Sequence, residues 1–499
     1  MQSTLKVKLD RFVDPSKETL SFVVTKTSTD NSASANGYKK TTATFELGPD
    51  GNTYASAVVT GLSANTQYYY WLYHTPSYEF ITSSDLTGYN YLGQFRTYPS
   101  SSSSYSFSAS FASCQQSEST APIFDKITKY NPNVFIQLGD IHYWDGINEP
   151  ASLGDYEYTY QTVIASSSLF TPNFFPKLTY SVPFDYIWDD HDYGPNNSDG
   201  TNPNRGHGSA AYKLVFPHYY LSSSIETYVS ESVSVDHQAI YHSFNMGRVK
   251  FIVTDNRSQR KPCTDVDDDV KYVWPTEQEN WFKSQITSTD CPVKVWVNSF
   301  PWEGDDTNPS YTGDDGWEKY TTYRRKIASF ISDNSGSIGK LVILSGDAHM
   351  TAMDDGKTSP WYSGSRPTPP VTIFQSAPLD QGGSRKGGPY LLDGADIWVG
   401  SSISVNVSDA QYADYINNGT SSYTNTNGRY GCMEVYDDLT HITMSLYTRS
   451  GNTAITSSAG DYRFPSVNGA YKKYQLVLNT SSYISGVGGP VTQSSSFVD

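Results

Sequence analysis

Two stretches far apart in the chain share one design. Val134-Phe135-Ile136-Gln137-Leu138 is a short, mostly apolar run followed by Gly139-Asp140 and, three residues on, by Tyr143. Leu341-Val342-Ile343-Leu344 runs into Ser345-Gly346-Asp347-Ala348-His349. An apolar run without polar alternation suits a parallel strand covered on both faces. In open α/β sheets, ligands bind beyond the carboxyl ends of such strands. Three further runs end in polar groups: Phe107 to Phe111 leads to Ala112-Ser113-Cys114-Gln115, Ser181 to Trp188 to Asp189-Asp190-His191-Asp192, and Val249 to Thr254 to Asp255-Asn256-Arg257. One Gly-Asp after a strand is ordinarily a turn. Several such ends on one layer would meet at a single edge, and carboxylates buried that close together must share cations, because they repel and lose hydration. Asp140 fits a carboxylate bridging two metals. Carboxylate ligands alone suit Ca, Mg or Mn; thiolate, phenolate or imidazole shifts one position towards Fe or Zn. A lone Cys is commonly a small buried hydrophobe, but the place of Cys114 at the mouth of the sheet favours a thiolate ligand.

The elements that must position these residues follow from the pattern. Residues 3 to 98 alternate apolar and polar in Leu5-Lys6-Val7-Lys8-Leu9, Leu20 to Thr25 and Thr42 to Leu47, the mark of half-buried antiparallel strands. Val58 to Trp71, with Leu62, a turn at Ser63 to Thr66 and the run Tyr68-Tyr69-Tyr70, resembles the turn-and-strand signature of fibronectin type III domains, so 1–98 is expected to be a β-sandwich of that kind. The serine run Ser100 to Ser104 reads as a flexible linker. From Tyr105 strands alternate with helices, at about Pro122 to Tyr130, after Pro275 with a capping box from Thr276 to Glu279, and from Gly316 to Ser332, which implies an α/β layered fold over 105–458. The segment 459–499 is Ser- and Gly-rich with a Tyr-rich patch and receives no role from its sequence.

Composition narrows the function classes. A net charge of −16 argues against nucleic acid as the main partner, since phosphate-backbone binding needs Lys and Arg density; a small phosphate ester held by cations remains compatible. There is no stretch of about 18 apolar residues to span a membrane, and Met1-Gln2-Ser3-Thr4 does not begin a signal peptide. Heavy use of Ser, Thr, Asn, Gly and Tyr with little Lys leans towards a secreted or extracellular protein, weakly supported by Asn-x-Ser/Thr sites at Asn196, Asn256, Asn406, Asn418 and Asn479. Four Cys are too few for a disulfide framework, although Cys263 and Cys291 flank a charged loop and a helix and could pair. Trp302, Trp317, Tyr320 and Tyr193 could line a substrate rim, though aromatics this frequent are more often core.

Together the motifs resemble the calcineurin-like metallophosphoesterase superfamily and, more narrowly, the PhoD-type alkaline phosphatases. The resemblance spans about residues 1 to 450. It implies two packed mixed sheets flanked by helices, with the site at their crest, and a trivalent iron paired with one or two calcium ions, Zn or Mn being alternatives at one position. Carried over motif by motif, Cys114, Asp140 and Tyr143 would ligate iron, with His349 or Asp347 completing the set. Asp140 would bridge to a second metal held by Asp190 and Asp347, and Asn197 could add an amide oxygen. Arg257 would grip a phosphate oxygen and His191 would act as general acid. The expected reaction is metal-activated hydroxide attack on phosphorus in a monoester; a phosphodiesterase or phospholipase D-like activity is the near alternative, and a degenerate surface-binding protein a distant one. The chain departs from the family in three places: Ile141-His142-Tyr143-Trp144 around the Tyr, with His142 pointing away from the site, Asp192 where Glu is usual, and Asn298 or Ser299 where the superfamily has His.

Overall fold

The computed structural model describes residues 1–499 except 10, 76–78, 82–91, 102, 118, 120, 145–148, 165–174, 219–224, 227–236, 239, 305–314, 350, 355–370, 382–390, 393–395, 398–428, 451–472, 481–491 and 499. The alternating N-terminal segments form two antiparallel sheets, one of Ser3–Lys8, Thr53–Val59 and Thr44–Leu47, the other built on Thr19–Thr25 and Gln67–Thr75 with Lys39–Thr42, Glu79–Ile81 and Gly93–Arg96 at its margins. Their inward residues, Leu5, Leu20, Phe22, Val24, Ala55, Tyr68 and Leu72 among them, close a core of their own. A polar contact joins this part to the rest: the Tyr54 hydroxyl donates to Glu157 Oε1 at 2.6 Å, and Lys8 lies 3.2 Å from the same oxygen. The serine run is not a loose tether at its end, because Ser104 Oγ donates to the Asp437 carbonyl at 2.6 Å.

The fully apolar runs become the buried strands of two larger sheets. In the seven-stranded sheet, Phe107–Ala112, Val134–Gln137 and Phe184–Tyr186 are parallel neighbours, and antiparallel strands Arg429–Asp437, His441–Ser450, Lys473–Asn479 and Thr492–Val498 extend it. The last two belong to the segment left without a role, which therefore contributes strands to the main sheet. In the six-stranded sheet, Val249–Val253, Val293–Asn298, Lys340–Ser345 and Thr372–Ser376 run parallel, edged by His242–Met246 and Thr351–Asp354. Ring contacts join the two sheets: Phe111 meets Phe374 edge-on at 5.0 Å and Phe107 lies 6.3 Å from Phe251. Both sheets contribute to one apolar core.

Helices cover these sheets with short apolar stripes. Ile123–Tyr130 buries Ile123, Phe124 and Ile127 and ends where Asn131 turns left-handed, its N–H returning to the Ile127 carbonyl. Thr276–Ile286 starts after Pro275, as expected, but without a capping box: Thr276 is already helical, and the Glu279 carboxylate is occupied by Lys283, Lys326 and the Tyr323 hydroxyl. Trp302, Trp317, Tyr320 and Tyr193 are fully buried, so none forms a rim. Trp302 and Trp317 pack with Trp274 and Trp296 behind the six-stranded sheet. All four Cys are free, so Cys263 and Cys291 do not pair.

Candidate active site

Parallel strands deliver their carboxyl ends to one edge, and cross-links between the ends hold them there. The Cys114 N–H donates to the Gly139 carbonyl at 3.2 Å and the Gln115 N–H to the Asp140 carbonyl at 2.9 Å, tying two loops of the seven-stranded sheet. The Asp347 N–H donates to Ser113 Oγ at 3.0 Å, and Trp188 Nε1 to Asp255 Oδ1 at 2.9 Å, so loops of one sheet are fastened to loops of the other. Gly139 has φ +103°, and a Cβ there would lie 2.3 Å from Asp189 Cβ; only glycine lets the two loops approach this closely.

The backbone is unusual where the predicted ligands lie. Cys114, Asp140, Asn197, Asp347 and His349 have φ of 63°, 53°, 64°, 62° and 48°, and they are five of the eight non-glycine residues with positive φ among those described. Such conformations cost on the order of 1 kcal/mol or more each and persist where the surroundings over-determine them, typically at functional sites. The side chains of Cys114, Asp140, Asp347 and His349 share one volume.

Within that volume the donor atoms form three overlapping groups, each with its ligand atoms within 4.8 Å of one another: Cys114, Asp140 and His349; Asp140, Asp190 and His191; and Asp140, Asp189, Asp190 and Asp347. Asp140 belongs to all three. The Tyr143 hydroxyl is 2.8 Å from Asp140 Oδ2 and 2.6 Å from His349 Nε2, and the Cys114 sulfur is 3.5 Å from Asp140 Oδ2. Asn197 donates its backbone N–H to Asp190 Oδ2 at 2.6 Å. The His191 ring lies 4.2 Å from that of Tyr143 and stays half-buried. Every predicted ligand therefore lies in or beside one cluster.

The electrostatics of this cluster call for positive charge. Burial pushes the Asp140 carboxyl well above the usual range, with Asp190, Asp192 and Asp347 adding to the rise and His191 opposing it. Burial likewise raises the Cys114 thiol, helped by Asp140 and Asp347, and the Tyr143 hydroxyl, helped by Asp140 and Cys114. Asp140 Oδ1, Asp189 Oδ2 and Asn197 Oδ1 are buried without a hydrogen-bond partner. Carboxylates, a thiol, a phenol and an imidazole converging in this way form a donor set that cations would satisfy, and a bound cation would reverse each of these pKa rises.

Three further side chains singled out by the sequence lie outside the donor groups. Arg257 is not at the mouth of the site. It is fully buried; its Nε donates to Asp189 and its Nη1 to Asp315, while Nη2 lies 3.4 Å from Asp190 Oδ1. Nε and Nη1 are thus engaged by carboxylates of the protein, while Nη2 is buried without a hydrogen-bond partner. His142 turns away from the cluster as expected, its Nε2 3.0 Å from Thr159 Oγ1, and burial pulls its pKa down to about 3. Asn298 also faces away: its Oδ1 accepts from Asn256 Nδ2 at 2.7 Å and Trp317 Nε1 at 2.9 Å. Sequence reasoning missed Asp189, which joins the donor cluster, and Asp192, which supports it; the signal was the density of acids in Asp189-Asp190-His191-Asp192.

A family model of PhoD-like phosphatases matches residues 109–436. A solved structure of PhoD is similar in fold, with a TM-score of 0.60 and 16% sequence identity, covering 97% of this chain and 87% of that one. Among curated proteins no match was found.

Proposed function

The chain belongs to the PhoD-like phosphatase family, a family of phosphoric ester hydrolases, and on that premise we propose that it hydrolyses small phosphate monoesters at a two-cation centre built around Asp140. The observation that carries this reading is the membership of Asp140 in all three donor groups, which suits a bridging carboxylate. Cys114, Tyr143 and His349 would complete a site for a trivalent iron, and Asp190, Asn197 and Asp347 a site for calcium. When bound, the cations would polarise the phosphoryl oxygens and lower the pKa of a water molecule.

The chain's own residues would divide the remaining work. His191 stands at the edge of the cluster and would donate a proton from its ring to the leaving alkoxide. Arg257, with its Nε and Nη1 taken up by Asp189 and Asp315, would hold those carboxylates in place and leave Nη2, which has no hydrogen-bond partner, to grip a phosphate oxygen. Ser113 would fix the loop carrying Asp347 through that residue's N–H. The N-terminal sheets are read as a fibronectin III-like sandwich outside the chemistry, and the composition supports a secreted or extracellular setting.

The test is elemental analysis of the purified protein combined with two assays, a nitrophenyl monoester and the corresponding bis-ester. Iron and calcium bound in defined ratio, with faster turnover of the monoester, is the expected result. Faster turnover of the bis-ester would assign a phosphodiesterase instead, and full activity without bound metal would overturn the reading.

A further inference from the structure

Two arginines lie side by side behind the cluster, and one carboxylate joins them. Arg257 and Arg260 are both buried, their guanidinium carbons 4.9 and 5.5 Å from the centre of the Phe300 ring. Guanidinium groups this close repel each other. Asp315, 1% exposed, sits between them: its Oδ2 accepts from Arg257 Nη1 and, at 2.6 Å, from Arg260 Nη2, while its carbonyl accepts from Arg260 Nη1 at 3.1 Å.

Each arginine then reaches a different part of the same metal shell. Arg257 donates to Asp189 and approaches Asp190. Arg260 Nη2 donates to the carbonyls of Asn197 and Ser198, both at 3.0 Å, and the Gly200 N–H returns to the Arg260 carbonyl at 3.1 Å. Ser198 Oγ in turn donates to the Asp190 carbonyl at 2.9 Å. Asn197 is left-handed, and its side-chain oxygen is buried without a hydrogen-bond partner. Through the two arginines Asp315 is thus tied both to the Asp190 carboxylate and to the loop that carries the Asn197 amide.

We infer that Asp315 is a positioning residue for the second cation: by fixing Arg257 and Arg260 against one another, it sets the spacing between the Asp190 carboxylate and the Asn197 amide oxygen. The inference rests on the two-cation reading above. The contacts of Arg257 and Arg260 run to Asp189, Asp190 and the Asn197 loop, on the side of the cluster assigned to the second cation, so loss of the Asp315 charge weakens that position and spares the other. General destabilisation would not show that selectivity.

The experiment compares the full chain with Asp315→Asn. Each protein is stripped with chelator and titrated with Ca²⁺ by calorimetry, and iron per chain is measured separately on protein as purified. The expected result is calcium binding weaker by about 10- to 100-fold with iron content unchanged, the range found when outer-shell partners of a metal site are replaced. Equal calcium affinity, or equal loss of both metals, would overturn the inference. Should Asp315→Asn fail to fold, Arg260→Lys keeps the positive charge but lacks the fork that spans Asp315 and the Asn197 loop; it should weaken calcium in the same direction, and unchanged affinity would again overturn the inference. A wild-type protein that takes up iron but no calcium would instead overturn the two-cation reading itself.

Discussion

Asp192 holds the backbone of Asp140. One of its carboxylate oxygens accepts the Asp140 N–H at 2.7 Å and the other accepts the Ile141 N–H at 2.8 Å. The oxygen that takes the Asp140 N–H also accepts the Asp189 N–H at 2.9 Å, so one side chain pins the loops after two neighbouring strands and keeps Asp140 left-handed. Asp192→Asn would turn an amide NH₂ against one of these donors. The variant should lose about 1–3 kcal/mol of stability in denaturant unfolding and about 10- to 100-fold in kcat/KM. Wild-type values for both would show that the contact does not position Asp140.

Asp140→Asn separates function from stability. Its carboxylate is crowded by Asp190 and Asp347, and its pKa is raised first by burial and then by those charges. Without cations the fold has to accommodate that repulsion or take up protons. Replacing Asp140 by Asn removes a charge at little cost in volume. In chelator-stripped protein the variant should therefore melt above wild type, whereas with metal present the order should reverse and activity should fall by at least about 100-fold. A variant that melts lower under both conditions would mean that the carboxylate is satisfied within the fold and is not waiting for cations.

The strand ends were legible because each is a short apolar run closed by a polar cluster, and a parallel sheet leaves such ends no choice of edge. The left-handed backbone was legible only in part: Asp, Asn and His are enriched at positive φ, but Cys is not, and which of the many Asp, Asn and His residues adopt it is decided by partners such as Ser113, Gly139 and Asp192. Arg257 illustrates the same limit. Its motif points to a phosphate clamp but not to the carboxylates that hold it: no local signal links it to Asp315, with which it pairs across 58 positions of sequence. Trp302 and Trp317 went to the core because their indoles fill a layer that no short-range pattern marks. The strand Thr492–Val498 escaped notice because its serines carry no apolar alternation.

His242 and Asp185 predict a pH dependence of stability. They clip the edge strand of one sheet to that of the other, with His242 Nε2 at 3.1 and 3.2 Å from the two oxygens of Asp185 and Nδ1 at 2.9 Å from the Ile240 carbonyl. Burial opposes charge on the imidazole, but Asp185 outweighs it and holds the pKa above 6.5. A folded value above the unfolded one gives stability that is complete below the unfolded pKa and is lost as pH rises through the folded pKa. Asp185→Asn should therefore cost about 3 kcal/mol near pH 6, and the gap to wild type should narrow as the medium becomes alkaline. Melting curves across that range check it; a gap constant with pH would mean that His242 is neutral throughout.

Gly139 and Gly154 make a matched pair for the claim that loop approach governs the site. At Gly139 an added Cβ would sit 2.3 Å from Asp189 Cβ and 2.8 Å from its backbone N, at φ +103°, so neither loop has a flexible side chain that could yield. At Gly154, in the helix Leu153–Ile164, the nearest atom would be Pro49 Cβ at 3.7 Å, an ordinary contact. Gly154→Ala should be neutral or stabilising by about 0.5 kcal/mol, because it restricts the unfolded chain. Gly139→Ala should cost about 2 kcal/mol or more, and in the fraction that folds it should separate the Asp140 and Asp189 loops. The reading is bound metal per folded chain, measured beside unfolding curves. Because Asp140 is common to every donor group, parting these two loops should lower occupancy at both metal positions together, in contrast to a change at Asp315, which should touch only one. Full occupancy in Gly139→Ala would mean that the donor cluster tolerates movement of its central loop, and that the close approach serves packing alone.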